Sequence, residues 1–182
     1  MLIATTRGLL IAVLVPAMLA STVTGQTASL HQGDVIPPLT GQTLSGKPLA
    51  LPADAAGKPA IVAFSFSRSG GKDNSLWSDR LAKDFPGMGH PYTVMMIEAA
   101  PKFVRGMIIS GTKKNMPPAA QDRFIAMERD EDLWKQRLNF TDEDHAYLFL
   151  IGPDGKIRWK NSGPFTDSEY AALKKELMPL LP

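Results

Sequence analysis

Apolar residues along this chain alternate between two spacings. Ala60-Ile61-Val62-Ala63-Phe64-Ser65-Phe66 is a continuous, uncharged run, which predicts a strand buried on both faces. Tyr92–Ile97 and Ala146–Ile151 read the same way, and Arg123–Met127 gives a shorter strand. Helical spacing takes over between them. Trp77, Leu81 and Phe85 form a stripe that predicts a helix from about Asn74 to Phe85, capped by Asp73 and stopped by Pro86-Gly87. Phe103, Val104, Met107 and Ile108 predict a second helix, closed by Gly111 and the polar stretch Thr112–Asn115. After the Met116-Pro117-Pro118 loop, Asp130 opens a third helix that turns Leu133, Trp134 and Leu138 inward.

The last third adds a hairpin and a helix. Gly152-Pro153-Asp154-Gly155 suits a type I turn, with Pro at the second position and Gly at the fourth. Lys156-Ile157-Arg158-Trp159-Lys160 alternates polar and apolar residues, as a half-exposed strand does. Thr166 and Glu169 fit a capping box that opens a helix carrying Tyr170, Leu173, Leu177 and Leu180. Ahead of the first buried strand, Val35–Leu39 and Pro48–Pro52 are short extended pieces that proline confines to edge strands or covering loops. Gly41–Lys47 between them is turn material. The order β-α-β-α-β-α, hairpin, α is that of an α/β thioredoxin-like three-layer sandwich, a central mixed β-sheet flanked by helices. The expected organisation is a targeting segment over residues 1–25, an extended segment over 26–58 and one domain over 59–182.

Arg7 is the lone charged side chain before Asp34, and an apolar run from Leu9 to Ala20 is followed by small residues through Gly25. That pattern describes a cleaved secretory signal peptide. The run is shorter than the roughly 20 residues a membrane span needs. Export to the periplasm or the medium follows, with cleavage after Ala20 or Gly25. The remaining composition excludes more than it assigns. With 20 basic and 18 acidic residues dispersed along 182, no basic tract with interleaved aromatics marks a nucleic-acid partner. The pI near 8.9 permits peripheral attraction to an anionic membrane surface.

No cysteine occurs anywhere in the chain. In a thioredoxin-like fold the reactive thiolate stands in the loop after the central strand, its pKa lowered by the helix that follows. Here that stretch reads Ser67-Arg68-Ser69-Gly70-Gly71-Lys72. A serine hydroxyl forms no redox couple. The proline expected before the strand at Ala146 is also replaced, in Asp144-His145-Ala146. The expectation is therefore a protein that is not an enzyme and needs no cofactor. Arg68 and Lys72 beside a helix start make a candidate anion cradle, and the alternative expectation is an exported redoxin-derived protein that binds a small anionic ligand there or has a non-thiol enzymatic activity. His31, His90 and His145 lack partners at ligand spacing, so no metal site is expected. Methionines near Phe103 and Met107 suit adaptable contact with a protein partner, and Arg158-Trp159 pairs two residue types common at interfaces.

Taken together, Phe64-Ser65-Phe66-Ser67-Arg68 leading to Trp77, then Gln121-Asp122-Arg123, Tyr147-Leu148, and Ile157-Arg158-Trp159 with Gly163 and Glu169 behind it, resemble the mitochondrial ATP synthase assembly factors. The likeness runs from about Gly33 to Leu181. These factors are a cysteine-free branch of the redoxin-like superfamily. The resemblance implies a non-catalytic chaperone role toward a subunit of a membrane complex. It also implies that Trp77, Asp122, Arg123, Arg158 and Trp159 belong with the Ser67–Lys72 stretch, Phe103 and Met107 as candidate contact residues. Members of that family carry mitochondrial transit peptides, whereas Arg7 and the run after it read as a bacterial type of export signal.

Overall fold

The computed structural model describes residues 29–181; the targeting segment expected over residues 1–25 lies outside them. Leu39–Gln42 (β1) and Pro48–Leu51 (β2) form a two-stranded antiparallel sheet. Ala60–Ser65 (β3), Tyr92–Met96 (β4), Phe124–Met127 (β5), Tyr147–Ile151 (β6) and Ile157–Asn161 (β7) build a five-stranded sheet in the order β5-β4-β3-β6-β7. Three strands run parallel, β3 with β4 and β4 with β5, while β6 is antiparallel to β3 and β7 to β6. Every residue of β3 is buried, as its uncharged run predicts for the central strand. The helices are Arg68–Asp84 (α1), Lys102–Lys114 (α2), Pro118–Gln121 (α3), Glu131–Leu138 (α4) and Asp167–Leu177 (α5).

Alternation along β3 divides the core in two. Ile61 and Ala63 join Trp77, Leu81, Leu148, Leu150, Tyr170 and Leu173 under α1 and α5. Val62 and Phe64 face the other way, toward Trp134 of α4 and the apolar residues of the β1–β2 hairpin. The Phe64 and Trp134 ring centroids are 4.7 Å apart. The hairpin also covers the outer edge of the sheet. Thr43 bridges Ile125, and a Cβ on Gly41 would lie 2.7 Å from the Ile125 side chain. An unpaired edge strand invites pairing with other chains, and this contact blunts it.

Several local expectations need correction. Ser67, not Asp73, caps α1: its hydroxyl accepts the Gly70 amide at 3.1 Å. Asp73 instead ties distant segments together, accepting the amides of Ala146 at 3.0 Å and Phe165 at 2.8 Å. Gly41–Gln42 pair as strand, so the turn begins only at Thr43. The Thr43 oxygens accept the amides of Gly46 and Lys47 there. α2 runs past Gly111 to Lys114. Asp130 stands at the cap position of α4 in left-handed backbone, φ 63°, and makes no side-chain cap. Glu98 substitutes for it, its carboxylate accepting the Glu131 amide at 2.7 Å.

Candidate functional site

Two consecutive crossovers, β3-α1-β4 and β4-α2-β5, place α1 and α2 side by side over β4. Between them runs a groove of about 990 Å³. Its walls differ in chemistry. From α1 come Arg68, Gly71, Lys72, Ser75, Ser78 and Asp79, at spacings of three and four that put them on one helical face. From α2 come Met107, Ile108, Gly111, Thr112 and Asn115, also on one face. Met95 and Met96 of β4 and the buried Phe124 line it lower down. The α1 wall is thus polar or small throughout, whereas the α2 wall adds the apolar Met107 and Ile108 to Gly111, Thr112 and Asn115.

Three buried polar residues lie on the floor beside α1, namely Ser65, Asn74 and Thr93. The Asn74 Nδ2 donates to Thr93 Oγ1 at 3.2 Å, and its Oδ1 has no partner. A buried polar atom left unpaired costs about 1–3 kcal/mol. Side chains of such small volume also leave the floor hollow where a leucine or phenylalanine would fill it.

α2 itself is unusual. None of its thirteen residues is buried, and Phe103 and Met107 are 86% and 73% exposed. A surface helix normally buries an apolar stripe. Here polar clamps do much of the holding. Arg105 donates to the carbonyl oxygens of Ala100 and Glu98 and pairs with the Glu128 carboxylate at 3.3 Å. Gln121 donates to the carbonyl oxygens of Lys113 and Met116. The Ala99 amide is held by Glu131, whose carboxylate also pairs with Lys135.

At the mouth, the Ser67–Lys72 stretch forms the first turns of α1 rather than a loop. The Ser67 hydroxyl accepts from Gly70 and donates to the Glu143 carbonyl at 2.8 Å, so both of its roles are taken. Gly70 is forced by proximity: a Cβ there would sit 2.7 Å from Glu143 O and 2.9 Å from His145 O. Among the described residues no ion pair engages Arg68, Lys72 or Asp79. Nor do the described residues offer three His, Asp or Glu side chains grouped for a metal. No described helix is long and apolar enough to cross a membrane.

Of the residues singled out from sequence, Ser67, Arg68, Gly71, Lys72 and Met107 come together in this groove. Ser69 is exposed just beside it, and Phe103 sits on α2 outside the lining. The others belong elsewhere. Trp77 is 0% exposed and packs against Phe165 and Trp159, so no partner can touch it. Trp159 closes the sheet over that cluster, while Arg158 pairs with Asp154 at 2.7 Å across its own hairpin. Asp122 binds Lys47 at 2.7 Å and fastens the β1–β2 hairpin. The hydrogen bond from Lys47 lowers its pKa. Arg123 donates to the carbonyl oxygens of Met88 and His90 and lies over the Tyr92 ring. These five residues hold the fold. Sequence reasoning missed Asn74, Ser75, Ser78 and Gly111, whose signal is small or polar character at helical spacing on both walls.

The sequence profile of the ATP10 protein family matches residues 31–180. The chain belongs to this family. No curated protein matches its sequence. Solved structures share this chain's fold at low identity. A candidate thiol:disulfide interchange protein, DsbE, from Chlorobium tepidum is 18% identical, covers 85% of this chain and 100% of its own, and superposes with a TM-score of 0.59. The thioredoxin domain of a thiol-disulfide oxidoreductase from Bacteroides vulgatus is 19% identical over 82% and 99%, with a TM-score of 0.58. BsSco, a member of the Sco family of cytochrome c oxidase assembly proteins, is 14% identical over 84% and 99%, with a TM-score of 0.54. These likenesses establish the thioredoxin-like fold that the order of elements predicts.

Proposed function

We propose that this ATP10 family member is a non-catalytic assembly factor that holds a subunit of a membrane-bound complex, the ATP synthase first among them, during its assembly. Membership of an assembly-factor family supports the role. The observation that carries the reading to a particular surface is the groove between α1 and α2. It opens where redoxins keep their thiols, yet this chain holds no cysteine and the Ser67 hydroxyl is taken up by the helix cap. A concave site with a methionine-bearing wall suits an adaptable apolar partner. The apolar run after Arg7 favours action outside the cytoplasm, at the membrane where such a client resides.

Deleting the gene and separating solubilised membranes by native electrophoresis tests the role. Assembled ATP synthase should fall and recover when the native chain is restored. Undiminished assembly in the deletion strain would reject the ATP synthase as client. Fractionation of the same cells checks the compartment, and recovery with the cytoplasm would reject export.

A further inference from the structure

We infer that the groove receives one apolar α-helix of the client, about three turns long, lying antiparallel to both α1 and α2 with its carboxyl end at Arg68 and Lys72. This deepens the assembly-factor reading and rests on it. The two walls are the crossover helices of successive parallel β-α-β units, so they run in the same direction and their amino ends lie together. A helix carries about half a positive charge at its amino end and half a negative one at its carboxyl end. Both walls are therefore positive at the mouth. Arg68 and Lys72, which no ion pair engages among the described residues, add two cations there. At the far end of the α1 wall stands Asp79, an acid that no ion pair engages among the described residues. Lys113 and Lys114, in the last turn of α2, do not line the groove.

This polarity is what an inserted helix of opposite direction complements, with its negative end at the two cations and its positive end at Asp79. The length agrees. Arg68 and Asp79 stand about 16 Å apart along α1 at 1.5 Å per residue, or three turns of an inserted helix. The walls also allow a backbone to come close. A Cβ on Gly71 or on Gly111 would meet nothing within 4 Å, and Ser75 and Ser78 continue the small face on α1. Helices that pack through small residues and hydroxyls are those of membrane proteins. The matching client helix carries Gly, Ala, Ser or Thr toward α1, and Leu, Ile or Met toward Met107 and Ile108.

Two fluorescein-labelled Ala/Leu/Ser peptides of about 16 residues, long enough to form helix, test the orientation. One carries two lysines at its amino end and two glutamates at its carboxyl end; the other has the charges exchanged. The first is the poorer helix on its own, because its charges oppose its dipole, so a preference for it cannot come from helix stability. Fluorescence anisotropy with the full chain should show it binding about tenfold more tightly, a difference of about 1.4 kcal/mol. The triple variant Arg68→Glu, Lys72→Glu, Asp79→Lys should reverse the preference. Gly111→Leu should weaken both peptides about tenfold or more while the circular dichroism spectrum remains that of the folded chain and the melting temperature does not fall. Equal binding of the two peptides, no binding, or a preference that survives charge reversal would overturn the inference. If the native chain restores ATP synthase assembly while the peptides are not distinguished, the orientation falls and the assembly role stands. If it fails to restore assembly, the role itself falls.

Discussion

α1 packs on two neighbours across the same sheet, and the two contacts are opposites. Toward α5 it presents Trp77 and Leu81, which meet Tyr170, Leu173 and Leu177 with almost no surface left exposed. Toward α2 it presents Gly71, Ser75 and Ser78 and meets a groove. The first contact is filled by volume; the second is kept open by smallness. If the groove is the client site proposed above, stability and recognition are assigned to different faces of one helix. On the open side Arg105 and Gln121 help hold α2 in place by donating to backbone carbonyls.

The comparison can be broken most forcefully at Trp77. Trp77→Ala removes the ring that contacts Trp159, Phe165 and Tyr170. It should cost about 3–5 kcal/mol of unfolding free energy in urea titration. A loss below about 1 kcal/mol would mean that the filled side does not carry the stability assigned to it. Next in size is Gly70→Ala. Its Cβ would press on the carbonyl oxygens of Glu143 and His145, which are backbone and can give only by moving the segment before β6. About 1–3 kcal/mol should be lost, and Ser69→Ala, one residue away and exposed, should lose less than about 0.5 kcal/mol.

The filled side was legible in the sequence and the open side was not, for physical reasons. Trp77 and Leu81 announce a buried stripe because large apolar residues at helical spacing have few other uses. The uncharged run of β3 and the Thr166 cap read equally directly. Gly70-Gly71, by contrast, looks like a turn, since glycine weakens helices. The real cause of Gly70 is the approach of the Glu143–His145 backbone, 73 or more positions along the chain, which no local pattern encodes. Asp73 was misread for the same reason, its partners being Ala146 and Phe165. A groove is a lack of side-chain volume on two helices at once, and it becomes visible only when topology sets them side by side. Family likeness, for its part, grouped Trp77, Asp122, Arg123 and Arg158 with the contact residues, although burial and ion pairing hold them within the fold.

A smaller effect marks the junction of α1 and α5. The Tyr170 hydroxyl bonds to Arg80 O and Asp84 Oδ2, and Lys174 joins Asp84 at 3.3 Å. Burial, then the hydrogen bond and charge of Asp84, push the Tyr170 hydroxyl up to about 12. A folded value above the unfolded 10 means that this stabilisation is complete below about pH 10 and is lost as pH climbs toward 12. Tyr170→Phe should cost about 1 kcal/mol at neutral pH. Melting curves across pH 9 to about 11.5 should then show the native chain losing its advantage over the variant. A gap that stays constant with pH would show that the hydroxyl does not titrate in this way.

The smallest expected change in stability is the most informative one for the open side. Phe103 and Met107 are large, apolar and exposed, and in a helix without a buried residue they support no core. Phe103→Ser and Met107→Ser should each shift unfolding free energy by less than about 0.5 kcal/mol, the range of ordinary surface changes. Their consequences should differ in binding. Met107 lines the groove, so Met107→Ser should weaken capture of the lysine-to-glutamate peptide about tenfold. Phe103 lies outside the lining, so Phe103→Ser should leave that affinity within about twofold. A destabilisation of about 2 kcal/mol or more by either change, of the order expected for core truncation, would show that α2 is packed after all. The distinction between a filled and an open side would then disappear. If stability holds and only Met107→Ser loses the peptide, the open side is a binding surface that the filled side exists to support.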